Sequence, residues 1–275
     1  MRKGKNGKAN RELTLVAVAV LTLSVIVVGI VNRRSGVSGD TPQPPLPHLT
    51  TIQTSTGLTP TADPYQAARM QMVEAQMRNR DITDEEVLKA MEKVPRHEFV
   101  PERYQGLAHA DRPLPIGYGQ TISQPYIVAL MTQLLEVGQA DKVLEIGSGS
   151  GYQAAIMGEL AHEVYTVEII EELAERATEL LRRLGYANVH VKHADGYYGW
   201  EEHAPYDIII VTCAPDHIPQ PLLAQLADGG RMVVPVGPPG AYQVLWKIER
   251  EGEEIVSRRI TGVVFVPLTG EHSPQ

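Results

Sequence analysis

A glycine-rich turn preceded by an acidic residue is the segment best suited to bind a ligand. The strand-like run Lys142–Ile146 leads directly into the turn Gly147–Gly151, in which every second residue is glycine. Glycine lets a backbone turn sharply and lets a ligand approach more closely than a Cβ atom would permit. The turn departs from the dinucleotide-binding fingerprint, because Tyr152 stands where that fingerprint has glycine or alanine. Glu145 would disfavour a pyrophosphate and suits a ligand that carries a positive charge.

Two further acidic residues follow the next predicted strands. Glu168 ends a strand about 20 residues after the first glycine, where a carboxylate can accept hydrogen bonds from both ribose hydroxyls. Asp195, followed by Gly196, comes after the third strand and could meet an adenine amino group. Each residue taken alone could equally be a helix cap or a loop residue. Together with the turn, the three acids favour an adenosyl cofactor with a sulfonium charge, which is S-adenosyl-L-methionine.

The residues around the turn alternate between strand-like and helix-like patterns. This alternation predicts parallel βαβ units, joined by right-handed crossovers into a doubly wound, mostly parallel sheet of the α/β class. Two helices precede the sheet, a loop covers Pro95–Gln120, and an antiparallel hairpin ends the domain. The predicted strands are Lys142–Ile146, Glu163–Val167, Val189–Lys192, Asp207–Val211, Arg231–Pro235, Gln243–Arg250 and Glu254–Val266. The predicted helices are Tyr65–Asn79, Thr83–Val94 (with Thr83 as its N-cap), Pro125–Val137, Tyr152–Leu160, Glu171–Leu184 and Gln220–Leu226.

Charge and cysteine content exclude several kinds of partner. The 275 residues carry a formal net charge of −8, although residues 1–40 hold seven basic side chains against two acidic ones. The remainder is therefore strongly acidic and would be repelled by phosphate backbones, so we expect no nucleic-acid partner. Cys213 is the single cysteine, which excludes an internal disulfide. The nine histidines lack the spacing of known metal motifs, so we also expect no metal.

The N-terminal part of the chain has the pattern of a membrane anchor. A basic tail, residues 1–12, precedes the uncharged run Leu13–Val31, whose 19 residues are long enough for one transmembrane helix. A cleaved signal peptide is the alternative, but the run exceeds the usual signal core and no A-x-A site follows it. Residues 32–63 are rich in Thr and Pro and predict a flexible linker. Residues 64–275 then form the globular domain.

The orientation of this predicted single-pass anchor has two readings. More basic residues precede the helix than follow it, which favours a cytoplasmic N-terminus and a domain on the outer face. S-adenosyl-L-methionine is made in the cytoplasm, so a domain on the outer face would require the cofactor to reach that face. A true start near Met70 or Met72 would instead give a cytoplasmic domain without an anchor.

Six segments of the domain carry a resemblance to one family. They are Gly119–Tyr126 (GQTISQPY), Val143–Tyr152 (VLEIGSGSGY), Asp195–Trp200 (DGYYGW), Tyr206–Pro215 (YDIIIVTCAP), Gly229–Gly237 (GGRMVVPVG) and Phe265–Thr269 (FVPLT). The chain resembles the protein-L-isoaspartate O-methyltransferases over about residues 71–268. The GQTISQP segment and the VPL ending are the specific features, because many methyltransferases share the glycine turn. The chain departs from the family at Ala194, because the family often has Gly-Asp-Gly where this chain has Ala194-Asp195-Gly196. It also departs in its membrane segment and linker.

The resemblance implies a Rossmann-like class I methyltransferase and a reaction. The reaction is methyl transfer from S-adenosyl-L-methionine to the α-carboxylate of L-isoaspartyl residues in damaged proteins, which begins their return to aspartate through a succinimide. The family's active-site serine corresponds to Ser123, and Thr121 and Thr269 are weaker candidates for lining the site. The resemblance and the turn together give a candidate cofactor set of Glu145, Gly147, Ser148, Gly149, Glu168, Asp195 and Gly196.

The proposed reaction needs orientation more than acid–base chemistry. A carboxylate is already ionised at neutral pH, because a free carboxylic acid has a pKa of about 4. Ser123 therefore fits a hydrogen-bond donor that orients the acceptor, and it lacks the Gly-x-Ser-x-Gly surroundings of a nucleophile. Its alternative role is the N-cap of the helix that begins at Pro125. Cys213 reads as a buried, inert thiol.

Three other functions remain open from the sequence. The first is methylation of a different carboxylate, in a small molecule or an envelope peptide. The second is a membrane-anchored protein that binds the cofactor without turnover, against which the intact Ser123 segment and Glu168 argue. The third, a dinucleotide oxidoreductase, is disfavoured by Tyr152.

Overall fold

The computed structural model describes residues 63–270, and the fold below concerns that range. Helix α1 (Gln66–Val73) continues as one π-helical turn, Glu74–Arg78, and is followed by α2 (Glu85–Lys93). Asp84, and not the predicted Thr83, is the N-cap of α2, because its Oδ1 accepts the N–H groups of Glu86 and Val87 at 2.9 and 3.2 Å. Either residue type can cap a helix, so the sequence could not separate the two neighbours.

The segment predicted as a loop contains short structured elements. Two 3₁₀ helices, Arg96–Phe99 and Glu102–Leu107, precede a two-stranded antiparallel hairpin. Its strands are β1 (Leu114–Gly117) and β2 (Gln120–Ile122), with residues at positive φ at the turn between them. These elements are too short and too rich in Pro and Gly to give a periodic apolar pattern.

Seven strands form the main sheet in the order β5-β4-β3-β6-β7-β8-β9. Strands β3 to β7 are parallel, and β8 and β9 are antiparallel additions, as the sequence predicts. The strands are β3 (Lys142–Ile146), β4 (Glu163–Glu168), β5 (Val189–His193), β6 (Tyr206–Val211), β7 (Leu226–Val236), β8 (Gln243–Glu251) and β9 (Glu254–Val263). Strand β7 begins five residues before the predicted strand, and β9 ends three residues earlier than predicted.

Helices cover both faces of the parallel strands. They are α3 (Pro125–Leu135), α4 (Tyr152–Leu160), α5 (Glu171–Arg183) and α6 (Gln220–Gln225). The buried residues of α5 recur at helical spacing (Leu173, Ala174, Ala177 and Leu181), whereas α4 is buried over most of its surface. Because helices cover them, β3 and β6 are almost continuously buried runs.

The order of the strands places the ligand site. The chain runs outward from β3 through β4 and β5, and then returns to the other side of β3 to form β6 and β7. In open α/β sheets, ligands bind beyond the carboxyl ends of the strands where the order reverses. The glycine turn after β3 lies at this point, beside the ends of β4 and β6.

The predicted basic tail (residues 1–12), the predicted transmembrane run (residues 13–31) and the predicted linker up to residue 62 lie outside the described residues. Within residues 63–270, no helix has the length and the apolar character needed to cross a membrane.

Candidate active site

The glycine turn has a backbone shape that only glycine adopts freely. Gly147, Gly149 and Gly151 have φ values of +94°, +52° and +85°. The N–H groups of Gly147 and Ser148 bond the carbonyl of Val167 at 2.8 and 3.3 Å. The Thr212 hydroxyl lies 2.9 Å from the Ile146 carbonyl and 2.7 Å from that of Gly147. A Cβ atom at Gly147 would lie 2.8 Å from the Thr212 Oγ1, so the turn and the end of β6 fit together closely.

Glu168 joins the end of β4 to the turn. Its Oε2 accepts the Gly149 N–H at 2.8 Å, and its Oε1 accepts the Ile170 N–H at 3.0 Å. A carboxylate oxygen can accept more than one hydrogen bond, so each oxygen keeps acceptor capacity for a ligand hydroxyl. The side chain is 6% exposed and lines the cleft described below. Glu168 therefore shapes the turn, and its carboxylate lines the cleft with acceptor capacity to spare.

Glu145 is a carboxyl group buried without a hydrogen-bond partner. The residue is fully buried, and neither carboxylate oxygen has a partner among the described residues. Burial raises the pKa of Glu145 to about 8, the nearby Thr166 hydroxyl lowers this pKa somewhat, and the negative charge of Glu168 raises it further. The Thr166 hydroxyl also bonds the Ser148 hydroxyl at 2.6 Å, and its effect on the Glu145 pKa is smaller than that of burial. A cationic group in the cleft would stabilise the ionised form of the Glu145 carboxyl, because it would provide the positive charge that the surroundings of Glu145 lack.

Asp195 and Gly196 lie at the end of β5. The Asp195 Oδ1 accepts the Tyr197 N–H at 2.9 Å and caps the 3₁₀ helix Gly196–Tyr198. Gly196 lines the cleft, and a Cβ atom there would lie 2.6 Å from the Ile146 side chain. Asp195 is not among the cleft-lining residues, and the backbone of Gly270 packs directly against its carboxylate. Asp195 thus caps a helix, as its alternative interpretation expects, beside a glycine that lines the cleft.

Ser123 lies in the short link between β2 and α3. Its backbone carbonyl accepts a 2.6 Å hydrogen bond from the Arg96 Nη2. The N-cap of α3 is Gln124, which makes no side-chain capping bond, so Ser123 is not the cap that its alternative interpretation predicts. Within the described part of the chain, the Ser123 hydroxyl has no hydrogen-bond partner. The hydroxyl is therefore available to a ligand.

The segment after β9 covers the site. The Ala214 N–H bonds the Val266 carbonyl at 2.8 Å, and the Leu268 N–H bonds the Ala214 carbonyl at 2.9 Å. These bonds form an isolated parallel bridge between Ala214 and Pro267. The bridge fixes Thr269 at the cleft and explains why the VPL ending belongs to the site although it follows the last strand.

One cleft of about 810 Å³, counted with its open mouth, brings most of the predicted residues together. The predicted residues that line it are Thr121, Ser123, Glu145, Gly147, Ser148, Gly149, Glu168, Gly196 and Thr269. Ile122, Val128, Met131 and Phe265 contribute apolar walls. Cys213 also lines the cleft, and burial raises the pKa of its thiol far above the usual value, so the thiol stays protonated and unreactive.

The residues present fit S-adenosyl-L-methionine. Gly147 and Gly149 allow the turn its left-handed backbone shape at the edge of the cleft, and Glu168 offers acceptors for ribose hydroxyls. The unpartnered carboxyl of Glu145 suits a cationic ligand. Within residues 63–270, no group of three or more His, Cys, Asp or Glu side chains could hold a metal ion.

Comparisons with known proteins agree with this geometry. The family described as Protein-L-isoaspartate(D-aspartate) O-methyltransferase matches residues 67–273. The chain belongs to this family. It is 54% identical to "Protein-L-isoaspartate O-methyltransferase 2" of Shewanella sediminis over 220 residues, covering 79% of this chain and 90% of that relative. It is 59% identical to the protein of the same description from Polaromonas sp. over 189 residues, 68% of this chain and 90% of the relative.

Solved structures of the family share the fold. A protein-L-isoaspartate O-methyltransferase with 30% identity gives a TM-score of 0.68, covering 74% of this chain and 66% of that one. A structure from Plasmodium falciparum with the same family description gives a TM-score of 0.64 at 26% identity, covering 73% and 98%. The latter was solved in complex with S-adenosyl-L-homocysteine. The class I methyltransferase fold that the sequence predicts is thereby confirmed for the described domain.

Three residues of the site escaped the sequence analysis. Thr166 and Thr212 support the turn from the neighbouring strands, and Arg96 holds the Ser123 backbone. Thr166 lies within the buried strand β4 and Thr212 directly follows β6, and a threonine at either kind of position gives no sequence signal of its own. Arg96 lies in a segment predicted as loop, where an arginine is expected to be solvent-exposed.

Proposed function

We propose that this chain methylates the α-carboxylate of L-isoaspartyl residues in damaged proteins and so begins their repair. Family membership gives the reaction and its cofactor, S-adenosyl-L-methionine. One observation carries the proposal for this chain's own residues. A single cleft contains both the glycine turn with its carboxylates and the Ser123 segment that distinguishes the family.

The cofactor, when bound, supplies a methyl group made electrophilic by the sulfonium charge. The side chains of this chain hold and orient the two partners. Glu145, Glu168 and the glycine turn bind the cofactor, while Ser123 donates a hydrogen bond to the acceptor carboxylate. No group of the protein must remove a proton, because the acceptor is ionised at neutral pH.

Orientation and exclusion of water supply the rate enhancement. Correct alignment of reacting groups lowers barriers by roughly 7–11 kcal/mol in favourable cases. The apolar walls of Ile122, Val128, Met131 and Phe265 exclude water from the acceptor oxygen. Thr121 and Thr269 are exposed residues that line the cleft, which supports a role in contacting the peptide backbone around the damaged residue.

A repair assay tests this function. The protein is incubated with S-adenosyl-L-methionine and an isoaspartyl peptide, and chromatography follows both the isoaspartyl and the normal aspartyl forms. We expect the isoaspartyl form to decline and the aspartyl form to accumulate through the succinimide. Cofactor binding without peptide methylation, together with methylation of a small carboxylic acid, would favour the other carboxylate substrate.

We further propose that residues 13–31 anchor the enzyme to a membrane, with residues 1–12 on the cytoplasmic side. Support comes from the sequence alone: the run is uncharged, long enough to span, and bordered by basic residues. Residues 32–63 would then be the linker to the domain of residues 64–275. An alkaline wash of membranes and a reporter fused to the C-terminus test the anchor and its orientation. Protein that is released by the wash would contradict the anchor.

A further inference from the structure

Arg96 is a buried cation that contacts the active-site serine segment from behind. The side chain is fully buried. Its Nε donates to the Ala108 carbonyl at 2.7 Å and its Nη2 to the Ser123 carbonyl at 2.6 Å. The guanidinium carbon lies 4.7 Å from the centre of the Tyr152 ring.

The surroundings of Arg96 make its buried positive charge energetically unfavourable. Among the described residues, no carboxylate pairs with this guanidinium, and its Nη1 has no hydrogen-bond partner. Burial lowers the pKa of Arg96, as expected for a cation without an acidic neighbour. An uncompensated buried charge destabilises a fold, so the two carbonyls and the Tyr152 ring offset only part of this cost.

The contacts of Arg96 join the two halves of the site. Ser123 lies on the substrate side, and Tyr152 begins α4 directly after the glycine turn on the cofactor side. Both residues line the cleft, and Tyr152 is almost fully buried. One planar group that bonds Ser123 and stacks on Tyr152 therefore sets the position of the serine relative to the turn. Lysine cannot reproduce this arrangement, because its single ammonium lacks a planar fork.

We infer that Arg96 is a positioning residue for methyl transfer, acting through Ser123. The inference rests on the proposed function, in which the Ser123 hydroxyl orients the acceptor carboxylate. The Ser123 link lacks a capping side chain at the start of α3, so the bond from Arg96 to the Ser123 carbonyl is the contact that fixes this residue. Loss of that bond displaces the hydroxyl, while the glycine turn keeps its own hydrogen bonds to Val167, Glu168 and Thr212.

A double-mutant cycle with Ser123 tests this inference. Arg96→Lys and Ser123→Ala are compared singly and together for kcat, for KM of an isoaspartyl peptide and for the cofactor Kd. The kcat values are normalised to the concentration of cofactor-binding sites, which removes any effect of partial unfolding. Arg96→Gln serves as a second variant because it leaves no buried charge, and the exposed Arg103→Lys is the matched control.

The two substitutions are expected to be coupled. Arg96→Lys should lower kcat by about ten- to a hundredfold and by no more than Ser123→Ala does, because it acts through the Ser123 hydroxyl, while the cofactor Kd stays close to the wild-type value. In the Ser123→Ala background the same change should have less than about a twofold further effect, because coupled residues are not additive. Fully multiplicative losses, or an equal loss of cofactor affinity, would overturn the inference. Unchanged turnover in Ser123→Ala would overturn the proposed role of the serine itself, and the inference with it.

Discussion

The Glu168 carboxylate accepts the backbone N–H of Gly149 at 2.8 Å, so the acid that should hold the ribose also shapes the glycine turn. The Glu168 side chain is thus expected both to support the shape of the turn and to bind the cofactor. Its second oxygen bonds the N–H of Ile170, which leads into α5.

Glu168→Gln should weaken cofactor binding by about ten- to a hundredfold, since hydrogen bonds to a charged group contribute roughly 1.5–3 kcal/mol each. An amide can accept only one of the two backbone N–H groups and loses the negative charge. Calorimetric titration with S-adenosyl-L-homocysteine measures this loss. Glu171→Gln, an exposed change in the first turn of α5, is the control and should bind normally. Equal affinities for both variants would remove Glu168 from the cofactor site.

The pH dependence of cofactor binding should report the buried Glu145. Its pKa of about 8 in the free protein means that the carboxyl is mostly neutral at pH 7. A cationic ligand favours the ionised form and lowers this pKa on binding. Affinity should therefore rise as the pH increases towards 8, by up to about tenfold per pH unit, and level off above it.

Glu145→Gln should flatten this profile. Both proteins are titrated with the same cofactor at pH 6.5, 7.5 and 8.5. Comparison of the two pH profiles removes the contribution of the cofactor's own ionisation. The wild-type protein should release a proton on binding below about pH 8, measurable as a heat that depends on the buffer. A variant with the same pH profile as the wild type would show that Glu145 does not titrate with binding.

Gly147→Ala should reduce cofactor affinity through backbone strain. The new Cβ atom would lie 2.8 Å from the Thr212 Oγ1 at a φ of +94°, so the turn must shift. Strain of this kind costs about 1–3 kcal/mol, equivalent to roughly a five- to 150-fold loss of affinity. Gly106→Ala is the matched control, because a Cβ atom there meets no other atom within 4 Å. Unimpaired binding by Gly147→Ala would show that the turn accommodates a Cβ atom beside Thr212 and keeps its ligand-binding shape.

Ser123→Ala should lower kcat by about ten- to a hundredfold, which is the contribution expected of one hydrogen bond to a carboxylate. The cofactor Kd should not change, because no other residue depends on the hydroxyl. Steady-state kinetics with an isoaspartyl peptide measure the effect, with the exposed Ser257→Ala on β9 as control. A raised Kd with normal kcat would assign the serine to the cofactor.

Periodic, buried elements were predicted closely from the sequence. The bounds of β3 and α4 agree to the residue, because Lys142–Ile146 and Tyr152–Leu160 are apolar runs bordered by turn residues. The hairpin β1–β2 was missed, since its strands have only four and three residues. Such short strands are stabilised by contacts with segments that are distant in sequence, and no local sequence pattern records those contacts.

Site residues were predictable from the sequence where they lie in motifs, but not where they support the site through buried contacts. The cleft gathers Ser123, Glu145 and Glu168 as expected, and Asp195 caps the 3₁₀ helix Gly196–Tyr198, whose first residue lines the cleft. Arg96 becomes visible only through its burial and its bond to the Ser123 carbonyl. Both facts depend on tertiary packing, which places residues 27 positions apart in contact.

The most direct test compares matched peptides that contain either L-isoaspartate or L-aspartate at one position. The domain from Pro64 onward is incubated with S-adenosyl-L-methionine carrying a labelled methyl group, and base-labile label on each peptide is counted. We expect strong, base-labile labelling of the isoaspartyl peptide alone. Equal labelling of both peptides, or none while the cofactor still binds, would contradict it.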